Sequence, residues 1–383
     1  MTITDYAPLF SRSLHRHEIY LACHSLGRPL DRTAQDVQSA LDHWYNDMDG
    51  AWGPWMDEIN LFRANIARLV GFEHPRYVVP KTSAGQGLRA VLNAMIGREP
   101  FTVVATRGEF DSIDFILKAY VERGFINVRW IEATADEQGV PLYEESAIRD
   151  ALKGAKLLVV SAVFFTTGQV LQGLPELVAQ AHKQGVRVLL DTYHAAGVLP
   201  LSLTELDVDF AVGGCYKYVR GGPGACWLAI HPRCLETGLQ TLDTGWFAKK
   251  EPFGYARPEP PEFGDAGDAW LESTPAVLPI FQAKAGLEFA LEVGVKTLRE
   301  VGLERLEVLR SEFAAMGVSI FQPSDPAHWG GYALMAHPSA TEFVSQLKIK
   351  GVNADARGGF VRFGPDLLTT NEELHRAAMI VAS

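Results

Sequence analysis

The chain has 383 residues, 47% of them hydrophobic and 21% charged, which is enough to bury a large core in two or three domains. Acidic residues outnumber basic ones by 46 to 35, and the net charge of -11 argues against a nucleic-acid or anionic-membrane partner. Residues 1–20 lack a signal-peptide pattern, and no apolar run is long enough to span a bilayer. The four cysteines form no CxxC pair, so neither a zinc site nor a disulfide framework is indicated. We therefore expect a soluble cytoplasmic protein with no bound metal.

The middle of the chain predicts a mostly parallel β-sheet. Short, nearly continuous apolar runs alternate with segments of helical periodicity such as "PELVAQAHKQG". This alternation is typical of βαβ units whose strands are covered on both faces. The fold class predicted is therefore α/β, with a large domain built on a sheet flanked by helices. The predicted strands are 101–107, 127–133, 156–164, 186–191 and 208–214.

The last part of the chain has a different pattern. After a Pro-rich stretch, a long helix is predicted, and the remainder reads strand, helix, strand pair and helix. Thr370 and Glu373 have the spacing of a capping box at the start of the last helix. This pattern predicts a smaller α+β domain at the C-terminus. The domain boundaries we predict are an N-terminal segment at 1–50 that packs with the small domain, a large domain at 51–275, an interdomain helix at 276–300 and the small domain at 301–383.

Two charged residues follow neighbouring strands of the predicted sheet. Asp191 ends "VRVLLD", and Lys217 comes 26 residues later in "CYKYVRGGPG", just after the next strand. Because the carboxyl ends of parallel strands meet at one crevice, we expect these side chains to lie close together. A lysine that is desolvated there has a lowered pKa, and its neutral amine can attack an aldehyde. The alternatives are an aspartate that caps a turn and a lysine that lies in water.

Other side chains are predicted at the same end of the sheet. Ser83 and Ala84 open a predicted helix after a strand, which is a natural seat for a phosphate. Phe110 follows another strand end and could stack on a ring, while His194 and Tyr216 lie beside the two charged residues in sequence. An amine, a carboxylate, phosphate donors and a stacking aromatic are what pyridoxal phosphate (PLP) requires of a protein. Each signal has an ordinary packing explanation when it is taken alone.

The segment 189–224, with its D-x-x-H and Y-K-Y elements and its G-G-P-G turn, resembles the cofactor segment of the kynureninase family. That family consists of fold-type I PLP enzymes within the class V aminotransferase superfamily. The resemblance extends in order along most of the chain. It is carried by "LACHSLGRP" (21–29), "FFTTG" (164–168), "TGWF" (244–247), "STP" (273–275) and "ADARGGFVRFG" (354–364).

The resemblance implies a role for each matched residue. Lys217 would form the Schiff base with the cofactor, Asp191 would hold the pyridine nitrogen, and Tyr216 would be a proton donor in later steps. Phe110 would stack on the cofactor ring. The other residues implied around the phosphate or the Schiff base are Ser83, Ala84, His194 and Tyr216, together with Trp246 and Thr274 from the second subunit of a homodimer.

The substrate side is implied in the same way, with some departures from the family pattern. Arg362 matches the arginine that grips a substrate α-carboxylate, a task that suits a bidentate guanidinium. His24 and Ser25 would also contact substrate. His24, Phe164 and Arg220 each stand where the family usually has asparagine, and these positions are candidates for substrate selection.

The reaction implied is the hydrolytic cleavage of the Cβ–Cγ bond of L-kynurenine, which yields anthranilate and L-alanine. A cysteine desulfurase or other β-lyase, an epimerase and a transaminase are alternatives on the same cofactor. A desulfurase would need a mobile catalytic cysteine, and neither Cys23 nor Cys215 is an obvious candidate. A silent binding module of the same fold is a third reading, but it predicts loss of Lys217 or Asp191, and both are present.

Overall fold

The architecture is that of a computed structural model, which describes residues 6–14, 18–135, 139–323 and 325–383. Residues 1–5 and 15–17 of the predicted N-terminal segment lie outside the described residues. Within the described ranges, no helix has the length and apolar character needed to cross a membrane.

The strands are short and are distributed over the whole chain. They are β1 (Ile19–Tyr20), β2 (Val78–Lys81), β3 (Phe101–Thr106), β4 (Ile126–Ile131), β5 (Thr134–Ala135), β6 (Pro141–Leu142), β7 (Leu157–Ser161), β8 (Arg187–Asp191), β9 (Phe210–Gly214), β10 (Cys226–Ile230), β11 (Ala333–Ala336), β12 (Val352–Asn353), β13 (Asp355–Arg357) and β14 (Phe360–Phe363).

Helices separate most of these strands. They are α1 (Ser11–Leu14), α2 (Thr33–Asp47), α3 (Trp52–Leu69), α4 (Ala84–Met95), α5 (Asp111–Glu122), α6 (Glu145–Asp150), α7 (Leu174–Lys183), α8 (Leu203–Leu206), α9 (Pro232–Glu236), α10 (Val277–Val293), α11 (Val295–Ala315), α12 (Ala340–Ile349) and α13 (Asn371–Ala382).

A central sheet carries the site described below. Within the described residues it has seven strands in the order β2-β10-β9-β8-β7-β3-β4. The pairs β8–β9, β7–β8, β3–β7 and β3–β4 are parallel, and β10 is antiparallel to both of its neighbours. The five predicted strands are therefore confirmed, with ends that differ by a few residues. The predicted α/β fold class is confirmed as well.

The central sheet is buried on both faces, as its unbroken apolar runs predict. Along β7, Leu158 and Val160 pack into one hydrophobic cluster, while Leu157 and Val159 pack into another on the opposite face. This alternation follows from the two-residue period of a strand. Because helices cover both faces, side chains that reach solvent or a ligand lie at the strand ends.

The C-terminal elements follow the predicted order. A second sheet has the order β11-β14-β13, and the Thr370 capping box at the start of α13 is formed with Glu373. The N-terminal strand β1 pairs with β12 in parallel, so that Ile19 lies opposite Val352. The predicted helix at 276–300 is divided into α10 and α11 at Gly294, whose φ of 83° interrupts helical geometry. The domain boundaries themselves stay predictions.

Candidate active site

A cavity of about 770 Å³ opens at the carboxyl ends of the parallel strands. Ligands of open α/β sheets bind at this edge, and the volume is in the range of small-molecule sites. The cavity brings together seven of the residues singled out in the sequence. These are Ser83, Ala84, Phe110, Asp191, His194, Tyr216 and Lys217.

Lys217 is buried at the end of β9, with only 5% of its surface exposed. Its Nζ lies 2.6 Å from Nε2 of His194 and is surrounded by the rings of Phe110, Tyr193 and Tyr216 at 4.9 to 5.6 Å. Burial lowers the pKa of Lys217 to about 7, and the nearby Asp191 offsets only part of this effect. A lysine in this setting has a substantial neutral fraction near pH 7, so it can act as a nucleophile and as a base.

Asp191 ends β8, directly beside the strand that leads to Lys217. Its Oδ1 accepts a hydrogen bond from the Tyr193 backbone N–H at 2.7 Å. Burial raises the pKa of Asp191, and the Tyr193 N–H and Lys217 oppose that shift. The hydrogen bond of the Lys217 amine goes to His194, while Asp191 acts on the amine through its charge. Both side chains therefore remain available to a ligand that extends between them.

The start of α4 forms another wall of the cavity. Ser83 is the N-cap of this helix, and its Oγ accepts a hydrogen bond from the Gln86 backbone N–H at 3.1 Å. Ala84 and Gly85, in the first turn, also line the cavity. The free N–H groups and the dipole of a helix N-terminus attract an anion, so this wall suits a phosphate.

The cavity fits pyridoxal phosphate on the residues present. It offers a buried amine of lowered pKa, a buried carboxylate, a helix N-terminus and the ring of Phe110. In addition, Nδ1 of His194 is buried and has no hydrogen-bond partner among the described residues. Buried polar atoms normally have a partner, so this atom is a contact that a ligand can supply. The residues at the end of the sheet thus match the group in charge, in donors and in size.

A second set of polar residues lies behind the cavity, around Asp355 on β13. Arg362 on the adjacent strand β14 donates to both carboxylate oxygens, from Nε at 2.7 Å and from Nη2 at 2.6 Å. His24 and Ser25 contact the same carboxylate, at 2.9 Å and 2.5 Å. The three predicted substrate residues are therefore assembled in one place, and they converge on Asp355.

These residues do not line the wall of the cavity, but the ring of Phe165, which does, contacts both groups. Its centroid is 4.8 Å from Cζ of Arg362 and 5.9 Å from Nζ of Lys217. Phe165 also makes an edge-to-face contact with Phe110, with the centroids 4.9 Å apart. Phe165 thus packs near both the amine and the guanidinium in this structure.

Two predicted cofactor residues lie elsewhere on the chain. Trp246 donates a hydrogen bond to the hydroxyl of Thr274 at 3.3 Å, and neither residue lines the cavity of the same subunit. Thr274 is exposed, and Trp246 is half-buried. The prediction that they act in the site of a second subunit stays a prediction.

None of the three departures from the family pattern lines the cavity, and their role in substrate selection stays a prediction. Phe164 is fully buried against Tyr143, with the centroids 4.6 Å apart. Arg220 points away and forms an ion pair with Asp366 at 3.2 Å, and Arg28 pairs with the same carboxylate at 2.8 Å. Their side chains hold the chain together behind the site.

The N-terminal segment contacts the backbone of the loop that carries Lys217. Gly27 donates its N–H to the carbonyl oxygen of Tyr216 at 2.8 Å. A Cβ at position 27 would come within 2.0 Å of the carbonyl oxygen of Lys217, so only glycine fits at this position. The "S-L-G" element therefore supports the loop that carries Lys217.

The sequence reasoning missed Tyr193, Phe165 and Asp355. Tyr193 lies between Asp191 and His194, and Phe165 lies in the "FFTTG" element. Their positions within recognised motifs could have marked both residues as part of the site. The same is true of Asp355, since it belongs to the matched segment 354–364. What the sequence could not show is that His24 and Ser25 contact Asp355 across more than 300 positions.

Comparison with known proteins agrees with this geometry. Residues 33–324 match the family model "Aminotransferase class-V", and residues 301–381 match the "Kynureninase C-terminal domain". A kynureninase of Geobacillus thermodenitrificans is 26% identical over 93% of this chain and 86% of its own length. A kynureninase of Salinispora tropica is 28% identical over 96% of this chain and 90% of its own length.

Solved structures of similar fold include a mutant of C-DES with glycine covalently linked to its PLP cofactor. Its TM-score is 0.87 at 19% identity, with 98% of this chain and 99% of that chain covered. A cysteine desulfurase from Thermococcus onnurineus NA1 has a TM-score of 0.84 at 15% identity, with coverage of 99% and 97%. At these identities the likeness concerns the fold. Since the first family model covers most of the sequence and the second covers its end, the chain belongs to the aminotransferase class-V family of PLP enzymes and is kynureninase-like.

Proposed function

We propose that this enzyme hydrolyses the Cβ–Cγ bond of L-kynurenine, or of a related β-acyl amino acid, to give anthranilate and L-alanine. The observation that carries the proposal is that a buried lysine of lowered pKa and a buried aspartate lie at the same edge of the sheet. The kynureninase match of the C-terminal residues 301–381 favours this reaction over others of the family. A cytoplasmic location and a place in tryptophan breakdown are part of the same proposal.

Lys217 would carry the cofactor and move the proton at the substrate Cα. Its lowered pKa supports this role, because a lysine that titrates near 7 can both accept and return a proton at neutral pH. His194 contacts Nζ at 2.6 Å, and burial holds the pKa of this histidine well below its usual value. A neutral His194 can orient the amine without adding a second positive charge.

Asp191 would accept a hydrogen bond from the protonated pyridine nitrogen. When bound, PLP supplies a sink for the electrons released at the substrate Cα, and a carboxylate at that nitrogen is what maintains the sink. The Tyr193 backbone N–H that bonds to Oδ1 supports this assignment, because it fixes the orientation of the carboxylate. Ser83 and Ala84 would hold the phosphate at the start of α4, with Phe110 against the ring.

Tyr216 would donate a proton in the later steps. Burial raises the pKa of Tyr216, so its hydroxyl stays protonated at neutral pH and is able to act as a donor. The ring lies 5.6 Å from Nζ of Lys217 and 5.0 Å from the ring of Tyr193, at the edge of the cavity. Arg362 would bind the substrate α-carboxylate, with its guanidinium fixed by Asp355.

The working form would be a homodimer in which Trp246 and Thr274 reach the phosphate of the other subunit. A continuous series of ring contacts supports this proposal. Its rings are Trp44, Trp55, Trp52, Phe253, Trp246 and Tyr255. Trp44 is 52% exposed and Tyr255 is 70% exposed. Aromatic patches of this kind are typical of the core of a protein interface.

The test is to add L-kynurenine to the purified, PLP-loaded protein and to follow the fluorescence of anthranilate, with Lys217→Ala as the blank. Lysine-dependent anthranilate release supports the proposal. A PLP-containing protein that releases none would contradict the substrate and leave the cofactor assignment standing. Light scattering of the same sample tests the dimer, which a monomeric mass at working concentration would contradict.

A carbon–sulfur lyase is the second candidate, since a cystine C-S lyase is among the proteins of similar fold. A desulfurase that carries sulfur on a mobile cysteine is disfavoured, because each of the four cysteines is at most 2% exposed. Burial also raises the thiol pKa of Cys23, Cys215 and Cys226, which keeps them protonated. Incubation with cystine under the same conditions, followed by pyruvate detection, separates this candidate from the first.

A further inference from the structure

Asp355 is contacted by three side chains that lie within hydrogen-bond distance of its carboxylate. Arg362 donates to both oxygens, Ser25 donates to Oδ2 at 2.5 Å, and His24 contacts Oδ1 at 2.9 Å. Burial by itself raises a carboxyl pKa, but His24 and Arg362 hold the pKa of Asp355 far below its usual range. Asp355 is therefore an anion that is fixed from three sides.

These contacts also determine which way His24 is protonated. Burial lowers the pKa of His24 to about 4, so the ring is neutral at neutral pH. An ionised carboxylate can only accept a hydrogen bond, so the single N–H of the ring is on Nε2 and points at Asp355. Nδ1 is then directed at Gly364, where even a Cβ would clash at 2.3 Å. His24 therefore has no room to turn toward a ligand.

The guanidinium of Arg362 has five N–H donors arranged in two forks. Asp355 takes the fork formed by Nε and Nη2, and the Phe165 carbonyl accepts from Nη1 at 2.8 Å. Tyr332 lies on the guanidinium as well, with its ring centroid 5.2 Å from Cζ. Because Arg362 is only 1% exposed, its plane cannot rotate without breaking these bonds. Asp355 thus fixes the orientation of the guanidinium.

The local charge also leaves a place for an anion. Asp355 neutralises one guanidinium, while Nη2 of Arg357 lies 3.9 Å from Oδ2 on the exposed side. Two arginines against one aspartate leave a net charge of about +1 beside Phe165, which a substrate carboxylate would balance. An aspartate that acted as a competitor for the arginine would instead need to be free to leave, and Asp355 is held by three residues.

We propose that Asp355 is the positioning residue of the substrate-carboxylate site, and that His24 and Ser25 act on substrate through Asp355 instead of touching it. The proposal rests on the proposed function, since it takes Arg362 to be the carboxylate-binding residue. It changes the role that the family resemblance implies for His24 and Ser25. It also explains how histidine can replace asparagine at position 24, because either side chain can donate to Asp355.

The test compares two ligands that differ only in the carboxylate. L-alanine and L-alaninamide are titrated into the PLP-loaded protein, and binding is followed by the visible absorbance of the cofactor. Asp355→Asn is expected to raise the Kd of L-alanine by about 10- to 100-fold, the usual worth of a charge-assisted hydrogen bond, and to leave that of L-alaninamide unchanged. Glu307→Gln, which removes a carboxylate from the exposed pair with Arg310, is the matched control with no expected effect.

Ser25→Ala provides a second, milder variant, because Asp355→Asn leaves a buried guanidinium unpaired and risks misfolding. Loss of this one contact is expected to raise the Kd of L-alanine by about three- to tenfold. In the Asp355→Asn background, Ser25→Ala should have no further effect if it acts through Asp355. An additive effect in the double variant would overturn the proposal.

Two other outcomes would also overturn it. An equal rise in Kd for both ligands would mean that Asp355 is merely structural, and tighter binding of L-alanine would mean that Asp355 competes with substrate. Arg362→Lys separates this failure from failure of the proposed function. If Arg362→Lys does not alter the preference for L-alanine over L-alaninamide, the role of Arg362 itself is wrong. If Arg362→Lys alters this preference and Asp355→Asn does not, the role of Arg362 stands and only the positioning role of Asp355 is wrong.

Discussion

Asp191 ends β8, and Asp209 immediately precedes the neighbouring strand β9, so the two carboxylates lie at opposite ends of the sheet. Both are buried, with 6% and 4% of their surface exposed. Asp209 is bonded to His182 at 2.9 Å, to Arg233 at 3.0 Å and to the backbone N–H of Val188 at 2.8 Å. Among the described residues, Asp191 accepts one hydrogen bond, from the backbone N–H of Tyr193. One carboxylate is fully paired, and the other is not.

The difference appears in the pKa values of the two groups. Burial raises the pKa of both carboxyls, but the hydrogen bonds from His182, Val188 and Arg233 outweigh burial at Asp209 and lower its pKa. At Asp191 burial prevails, and the pKa is raised. An unpaired buried charge lowers the stability of the fold. Such a group is therefore typical of a site where a ligand supplies the missing partner. The amino end of the sheet is therefore built for stability, and the carboxyl end for binding.

The largest expected effect is at the carboxyl end. Lys217→Ala should lower turnover of the PLP-loaded enzyme by about 10³-fold or more, because it removes the group that moves the proton. The thermal midpoint of the cofactor-free protein should hardly change, since no ion pair is lost. Steady-state kinetics and calorimetry on the same preparation measure both. A large drop in thermal midpoint would break the contrast between the two ends.

The next effect concerns pH. Because burial lowers the pKa of Lys217 to about 7, the amine becomes neutral as the pH rises through that value. The rate of PLP loading onto the cofactor-free protein should therefore rise about tenfold per pH unit below 7 and level off above it. Stopped-flow absorbance between pH 5 and 9 measures this rate. A rate that kept rising to pH 9 would mean that the pKa of Lys217 is not lowered.

At the amino end the expected effect is on stability. Asp209→Asn should lower the free energy of unfolding by about 2 kcal/mol, because it removes the charge that Arg233 and His182 share. Turnover per folded molecule should be unchanged. Since the pKa of Asp209 is lowered by folding, its contribution is present at neutral pH and is lost as the carboxyl protonates in acid. The loss begins only below the ordinary aspartate pKa of about 4. Urea unfolding at pH 7 and at about pH 2 should therefore show the variant and the parent converging at the lower pH.

The smallest effect is expected at Arg220, a position that the sequence alone marks for substrate selection. Arg220→Asn should leave KM unchanged, because the side chain pairs with Asp366 and not with the cavity. Asparagine tolerates the positive φ of 60° at this position, which limits the loss of stability. A changed KM would mean that the ion pair between Arg220 and Asp366 affects substrate binding.

The sequence predicts the carboxyl end of the sheet well, because its signals are local. Each apolar run predicts a strand, and Asp191 and Lys217 are placed at or just after a strand end without any information from distant parts of the chain. The antiparallel strand β10 was not foreseen, since "CWLAI" has no feature that gives its direction. The Asp355 cluster was missed for a related reason. Its members are brought together by pairing between distant strands, which no local pattern encodes.

The pairing of β1 with β12 has a consequence for how the protein is made. The partner of Ile19 is Val352, which leaves the ribosome 333 residues later, roughly 20 to 60 s at ordinary rates of translation. During that interval the segment that carries His24, Ser25 and Gly27 has no strand to join. The central sheet can form first, but the loop beneath Lys217 is completed last. A nascent chain halted before Val352 would thus hold a folded sheet and an unfinished active site.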